Sequence, residues 1–264
     1  FCEQAAIEYF GGGVELAYCN SFDEVFHATA AGTAQFGVVG VENSTEGAVA
    51  RTLDLLRTTP AHIVGEVSLV VRHNLLTHAK ALDDVAAVLA HPQALMQCHG
   101  WLSEHLPRAE RRAVSSNAEG ARQAAANPAW AALASERAAA QFGLPVAARA
   151  IQDQTYNRTR FAVICLPQTL PLPAATGSDR TSLVAAVPNK AGSLYDLLAP
   201  LKTHGVSMSR LESRPAKSGQ WEYYFYIDIT GHPSEPHVAQ ALAELAAQCA
   251  FCKVLGTYAQ AQDV

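Results

Sequence analysis

Proline at positions 167, 171 and 173 falls within Leu166-Pro-Gln-Thr-Leu-Pro-Leu-Pro-Ala-Ala-Thr-Gly-Ser178, a stretch that no helix or sheet interior can absorb. Proline lacks a backbone donor and restricts its neighbours, so these residues read as a semi-extended connector that divides the chain near residue 175. The order of elements differs on its two sides. Before it, the apolar runs 36–41, 61–71, 86–89 and 161–165 read as strands, and helices are predicted at 3–10, 22–32, 48–58, 92–106, 117–126 and 134–142. Such alternation argues for an α/β architecture with largely buried parallel strands, whose ligands sit beyond the strands' carboxyl ends. After it come a strand at 181–187, a helix at 192–203, strands at 207–213 and 221–229, a helix at 235–248 and a strand at 251–258. That order is β-α-β-β-α-β, the ferredoxin-like split βαβ unit.

Composition removes several function classes. Among 264 residues, 49% are hydrophobic and 16% charged, enough apolar surface for two modest cores and too much for a disordered chain. A net charge of −5 leaves no surplus of positive charge to neutralise a phosphate backbone, so nucleic acid is not an expected partner. No apolar run reaches the roughly 18 residues of a membrane span, and Phe1-Cys-Glu-Gln4 is not the start of a signal peptide. We expect no membrane partner and a cytoplasmic protein. Six cysteines spread over this length read as reduced thiols, and Cys249-Ala-Phe-Cys252 has no second ligand pair. No metal and no cofactor are expected.

Chemistry concentrates in Gly37-Val-Val-Gly-Val-Glu-Asn-Ser-Thr-Glu-Gly-Ala-Val49. A buried strand runs into a carboxylate, an amide and two hydroxyls just before a helix, where unpaired backbone N–H groups favour an anion. Helix capping alone accounts for one or two of these side chains, not for all of them. Ser116 and Glu119 have capping-box spacing at a second helix start. A third cluster, Tyr156-Asn-Arg-Thr-Arg-Phe161, leads into a buried strand, and His91-Pro-Gln93 ends another.

Glu42-Asn-Ser-Thr-Glu-Gly47, Gly65-Glu66 with Arg72-His-Asn-Leu75, His91-Pro-Gln-Ala-Leu95 and Asn157-Arg-Thr-Arg-Phe161 stand in the order and spacing of the prephenate dehydratase family, which the chain resembles over essentially its whole length. Residues 181–230 resemble that family's C-terminal ACT regulatory domain, with Gly192-Ser-Leu194 and Glu212-Ser-Arg-Pro215 in place of its amino-acid-binding motifs. The resemblance implies a catalytic domain at 1–167, two-lobed and periplasmic-binding-protein-like, with lobes at about 1–72 plus 150–167 and at 73–149 around a cleft. A linker at 168–180 and an ACT domain at 181–264 follow. It also implies a further strand before Phe1 and, with no chorismate mutase segment in the chain, a single activity.

By resemblance the activity is that of a carbon–oxygen lyase, converting prephenate to phenylpyruvate in phenylalanine biosynthesis. Thr159 is implied as the donor to the departing hydroxyl, with Asn43 and Glu42 beside it. Next to a dianion, Glu42 is either protonated or an acceptor for the substrate hydroxyl. Ser44, Thr45, Gln93, Ser115, Ser116, Asn117, Arg160 and Phe161 are the implied substrate-binding residues. Phenylalanine is implied as the allosteric effector at Gly192, Ser193, Leu194, Glu212, Ser213, Arg214 and Pro215, in a homodimer or homotetramer. Two alternatives remain open: an arogenate dehydratase, whose motifs are nearly the same, and a non-catalytic two-lobed small-molecule sensor.

Overall fold

The computed structural model describes residues 1–170, 172–216 and 223–261. Pro171 of the connector, Trp221 and Glu222 of the predicted strand 221–229, and residues 262–264 lie outside the described residues. In chain order the elements are α1 (Cys2–Phe10), α2 (Phe22–Ala30), β1 (Gly37–Asn43), β2 (Gly47–Ala48), α3 (Ala50–Thr58), β3 (His62–Val70), β4 (Asn74–Thr77), β5 (Ala87–Ala90), α4 (Pro92–Gln97), α5 (His99–His105) and β6 (Glu110–Ala113). They continue as α6 (Asn117–Ala125), β7 (Trp130–Ala134), α7 (Glu136–Phe142), β8 (Val146–Ala148), β9 (Arg158–Cys165), β10 (Asp179–Ala186), α8 (Ser193–Thr203), β11 (Met208–Pro215), β12 (Tyr223–Thr230), α9 (Pro236–Ala247) and β13 (Phe251–Ala259). The chain forms two compact units, Phe1 with Val70–Arg158, and Cys2–Leu69 with Thr159–Val264. No helix among the described residues is long and apolar enough to cross a membrane.

The first unit is a five-stranded sheet in the order β6-β5-β7-β4-β8. β5 runs parallel to β6 and β7, whereas β4 is antiparallel to β7 and β8, so the expectation of a largely parallel arrangement holds for only part of the sheet. Leu75, Val88, Leu102 and Leu133 are fully buried in its core. Helix α6 starts on Ser116, whose hydroxyl accepts from the Glu119 N–H at 3.1 Å. It lies so close to β5 that a Cβ on Gly120 would stand 2.8 Å from the Leu89 carbonyl oxygen. The single helix expected at 92–106 is broken at Cys98. Asp153 supplies the reason: its carboxylate accepts from the N–H groups of Gly100 and Trp101, starting a new helix there.

The second unit is built on an eight-stranded sheet, β11-β12-β10-β13-β3-β9-β1-β2. The segment β10-α8-β11-β12-α9-β13 is the βαββαβ unit read from the sequence, and α8 and α9 pack on one face through Leu197, Leu201, Val238 and Leu245. Its sheet is continuous with the strands contributed by the first part of the chain. β13 meets β3 in parallel at Gly256 and Ile63, where any side chain on Gly256 would run into the Ile63 backbone. The opposite face of the sheet buries Val184, Tyr226 and Leu255 with Leu53 and Leu56 of α3.

Candidate active site

β1 and β9 pair antiparallel, so residues opposite each other share a face. The register runs Gly40 to Phe161, then shifts, then Glu42 to Arg160 and Asn43 to Thr159. Val41 is the extra residue of a β-bulge, a device that re-aims side chains beside functional sites. It sets Asn43 across from Thr159 and turns Glu42 to the other face.

Asn43 is 6% exposed and fully engaged. Its Oδ1 accepts from the Thr45 backbone N–H at 3.0 Å and the Thr45 hydroxyl at 2.6 Å. A backbone N–H can only donate, which fixes the amide: the oxygen faces Thr45, and Nδ2 donates to Thr159 Oγ1 at 2.8 Å. Since Thr159 Oγ1 accepts that bond, its own hydrogen stays available to a ligand, and the amide's donation polarises the O–H. Asn43, Thr45 and Thr159 are thus brought together, with Ser44 exposed next to them. Phe161, 3% exposed, is a core side chain on the same face of β9 as Thr159.

Glu42 and Arg160 do not join this group. Arg160 Nη2 donates to Asp228 Oδ2 at 2.6 Å and lies 3.5 Å from Glu42, and its Nε is 3.8 Å from Glu66. Asp228 also accepts from the Ser182 hydroxyl at 2.6 Å, and Glu66 takes Arg180 at 2.5 and 2.7 Å plus the Ala261 N–H at 2.9 Å. Burial works against charge on both partners of the central pair. The Asp228 carboxylate, on whose side Arg160 stands, still holds that guanidinium above its ordinary range, and Arg160 holds the Asp228 carboxyl below its own. Glu42 and Arg160, expected beside the substrate, are here ion-paired to the βαββαβ segment through Arg210 and Asp228. Sequence alternation from Val39 places Glu42 on Thr159's face; the bulge is what overturns it.

In the first unit, Gln93 and Ser115 to Asn117 gather past the carboxyl ends of the parallel strands β5 and β6, tied by the His91 N–H donating to Asn117 Oδ1 at 2.9 Å. α6 begins there, with its Glu119 N–H bonded to the Ser116 hydroxyl and its Gly120 N–H to the Ser116 carbonyl. His73 and Asn157 stand in motifs quoted from the sequence, but the amides that join them were missed: Gln97 Oε1 is bound to His73 Nε2 at 2.9 Å and Asn157 Nδ2 at 3.0 Å, and Gln152 accepts from the His73 N–H at 3.0 Å. Burial pushes the His73 imidazole below its usual range. Isolated polar residues within apolar periodicity were the available signal.

The two expected effector motifs are set apart. Gly192 opens α8 with φ +82°, Ser193 Oγ donates to the Pro188 carbonyl at 2.7 Å, and Leu194 is 37% exposed. Glu212 to Pro215 lie on β11, an edge strand, with β12 between it and β10. Alternation splits them: Glu212 and Arg214 are half-buried toward α3, while Ser213 and Pro215 are exposed.

A family model described as prephenate dehydratase matches residues 1–169, and one described as ACT domain matches 181–247. A bifunctional chorismate mutase/prephenate dehydratase of Neisseria gonorrhoeae is 44% identical over 98% of this chain and 71% of its own length. A prephenate dehydratase of Amycolatopsis methanolica is 39% identical over 100% of this chain and 86% of its own. Among solved structures, a prephenate dehydratase in complex with L-Phe from Arthrobacter aurescens superposes with TM-score 0.90 at 32% identity, over 98% of this chain and 87% of that one. A chain described as GqqA, a novel type of quorum quenching acylase, gives 0.86 at 30% identity over 98% and 93%. The chain belongs to the prephenate dehydratase family and carries an ACT domain after its dehydratase segment.

Proposed function

We propose that this chain turns prephenate into phenylpyruvate with Thr159 as the donor to the departing hydroxyl. Prephenate is a cyclohexadiene dianion. Breaking the ring C–CO₂ bond releases carbon dioxide, its electron pair completes the aromatic ring, and the C4–O bond breaks to give hydroxide, which a proton turns into water. Aromaticity drives the reaction, so the protein must orient the dianion and help hydroxide leave. One observation carries this reading: the Asn43 amide, oriented by the Thr45 backbone, donates into Thr159 Oγ1 and leaves the hydroxyl hydrogen to bond the departing oxygen, which takes the proton that makes it water from solvent while Thr159 stays neutral. Such donation is worth roughly 10² to 10⁴-fold. For carboxylate binding the candidates beside Thr159 are Ser44 and Thr45, and the first unit, taken by itself, offers Gln93, Ser115, Ser116 and Asn117, where a helix start and hydroxyls favour an anion.

The solved relative with L-Phe supports phenylalanine as the effector of the ACT segment. In one chain Gly192 opens α8 after β10 whereas Glu212 stands on β11, with β12 between those two strands, and among the described residues β11 is an edge of the sheet. A second copy pairing at that edge would complete the site, which supports a homodimer or homotetramer. Six free cysteines suit a reducing compartment such as the cytoplasm.

An acylase needs an activated nucleophile, and among the described residues no base is bonded to the Thr159 hydroxyl, which accepts a hydrogen bond instead. The purified protein is incubated separately with prephenate, with arogenate and with an N-acyl amide. Phenylpyruvate from prephenate, slowed by phenylalanine, is the expected result. Phenylalanine formed faster from arogenate, or hydrolysis of the amide with neither dehydration, would replace this reading.

A further inference from the structure

On β11, Arg210, Glu212 and Arg214 fall at every second position, so one face of the strand carries all three, and that face covers α3. Arg210, with a side chain only 10% exposed, reaches Glu42 through Nε at 3.2 Å. Arg214, 17% exposed, clasps Asp54 of α3 with two bonds, Nε to Oδ1 at 3.3 Å and Nη2 to Oδ2 at 3.4 Å. These contacts fall on the two ends of a single segment. Glu42 immediately precedes Asn43, and Asp54 lies in the second turn of the helix that follows Thr45 and Gly47. Everything in the segment that serves Thr159 sits between two arginines of one strand.

The neighbouring strands stiffen this grip at other points of α3. Tyr226 OH donates to the Leu53 carbonyl at 3.0 Å, the Arg57 guanidinium lies 4.3 Å above the Tyr224 ring, and Lys253 Nζ donates to the Leu56 and Thr59 carbonyls at 2.6 Å each. Those strands are interior, with a partner on each side. Among the described residues β11 has a partner on one side only and can therefore shift with the least loss of backbone pairing. It is also the strand on which the Glu212 to Pro215 motif stands.

We propose that Arg210 and Arg214 transmit the state of the effector motif to the Asn43–Thr45 segment, Arg210 through Glu42 and Arg214 through Asp54. The inference rests on the reading of this chain as a phenylalanine-inhibited dehydratase. In one state of β11 both arginines leave the segment where Asn43 orients Thr159; in the other they draw it away. An effector that binds one of these states better shifts the balance by its differential affinity alone.

The test uses the full chain with Arg210→Gln, Asp54→Asn and the charge-keeping Arg210→Lys, following phenylpyruvate formation at increasing phenylalanine and phenylalanine binding by calorimetry. Without phenylalanine the variants turn over at close to the parent rate. At saturating phenylalanine Arg210→Gln and Asp54→Asn still bind it but keep about tenfold more activity than the parent, within the range of allosteric coupling factors, and Arg210→Lys stays inhibited. The partly exposed Asp54 pair keeps the test open if Arg210→Gln fails to fold. Inhibition equal to the parent in either folded variant overturns the proposal. So does loss of phenylalanine binding itself, which would make these side chains effector contacts. A parent that shows no dehydratase activity, or that phenylalanine neither binds nor slows, overturns instead the reading beneath it.

Discussion

Asn43 and Thr159 are bonded as one unit, since the amide has a single orientation and, among the described residues, the hydroxyl receives its hydrogen bond from that amide. Asn43→Ala is therefore expected to cost turnover about as much as Thr159→Ala, and the double variant hardly more than either, the non-additivity of residues that work together; rapid-mixing or initial-rate kinetics of the three variants would show it, and independent, multiplying losses would separate the two side chains. Neither group titrates between pH 5 and 9, so kcat should be flat across that range. Glu42→Gln should lower kcat by less than about tenfold, since the carboxylate pairs with Arg160 and Arg210 on the far face. A loss of thousandfold would return Glu42 to the catalytic group. The residue types of this site were readable in the sequence as a run of polar groups after a buried strand. Which of them face each other was not, because one bulged residue reverses the parity of all that follow.

At the scale of elements, α3 is a helix held by its far end. Lys253 donates to the Leu56 and Thr59 carbonyls and so caps the carboxyl end of α3 from β13. Lys253→Met, which keeps the aliphatic stem, should destabilise the fold by about 1–3 kcal/mol, the cost of leaving buried acceptors unpaired; urea unfolding measures it, and an unchanged midpoint would rule the cap out. The elements of the second unit were largely visible as hydrophobic periodicity, down to the βαββαβ order. Those of the first were less so. β7 is Trp-Ala-Ala-Leu-Ala, a run whose alanines signal helix and become a strand by burial on both faces. β6 is Glu-Arg-Arg-Ala, a charged edge that hides its strand from any apolar pattern. The break at Cys98 depends on Asp153, more than fifty residues away in sequence, and no local signal announces it.

For the whole molecule, the Arg160–Asp228 pair joins β9 to β12 inside one sheet-built unit, so its charge state bears on global stability. The sign follows from the direction of the shift: the Asp228 carboxyl lies below its ordinary value in the fold, so its contribution is complete above about pH 4 and is lost as acid protonates it. Asp228→Asn should cost about 3–5 kcal/mol at pH 7, the penalty of stranding a buried charge, and the gap to the parent should narrow below about pH 4; a gap that widens there would contradict the assignment. The strands on either side of the proline-rich stretch, β9 and β10, were plain in the sequence as apolar runs. That β13 would carry the regulatory segment's sheet on into β3 was not, because the junction depends on one glycine at a backbone approach closed to any side chain. The most direct test of the account is the turnover of prephenate by Thr159→Ala beside Thr159→Ser. The serine hydroxyl can still receive Asn43 and donate, so it should keep most of the activity, while alanine should lose roughly 10² to 10⁴-fold in kcat with KM little changed. An alanine variant that turns prephenate over at close to the parent rate would contradict it.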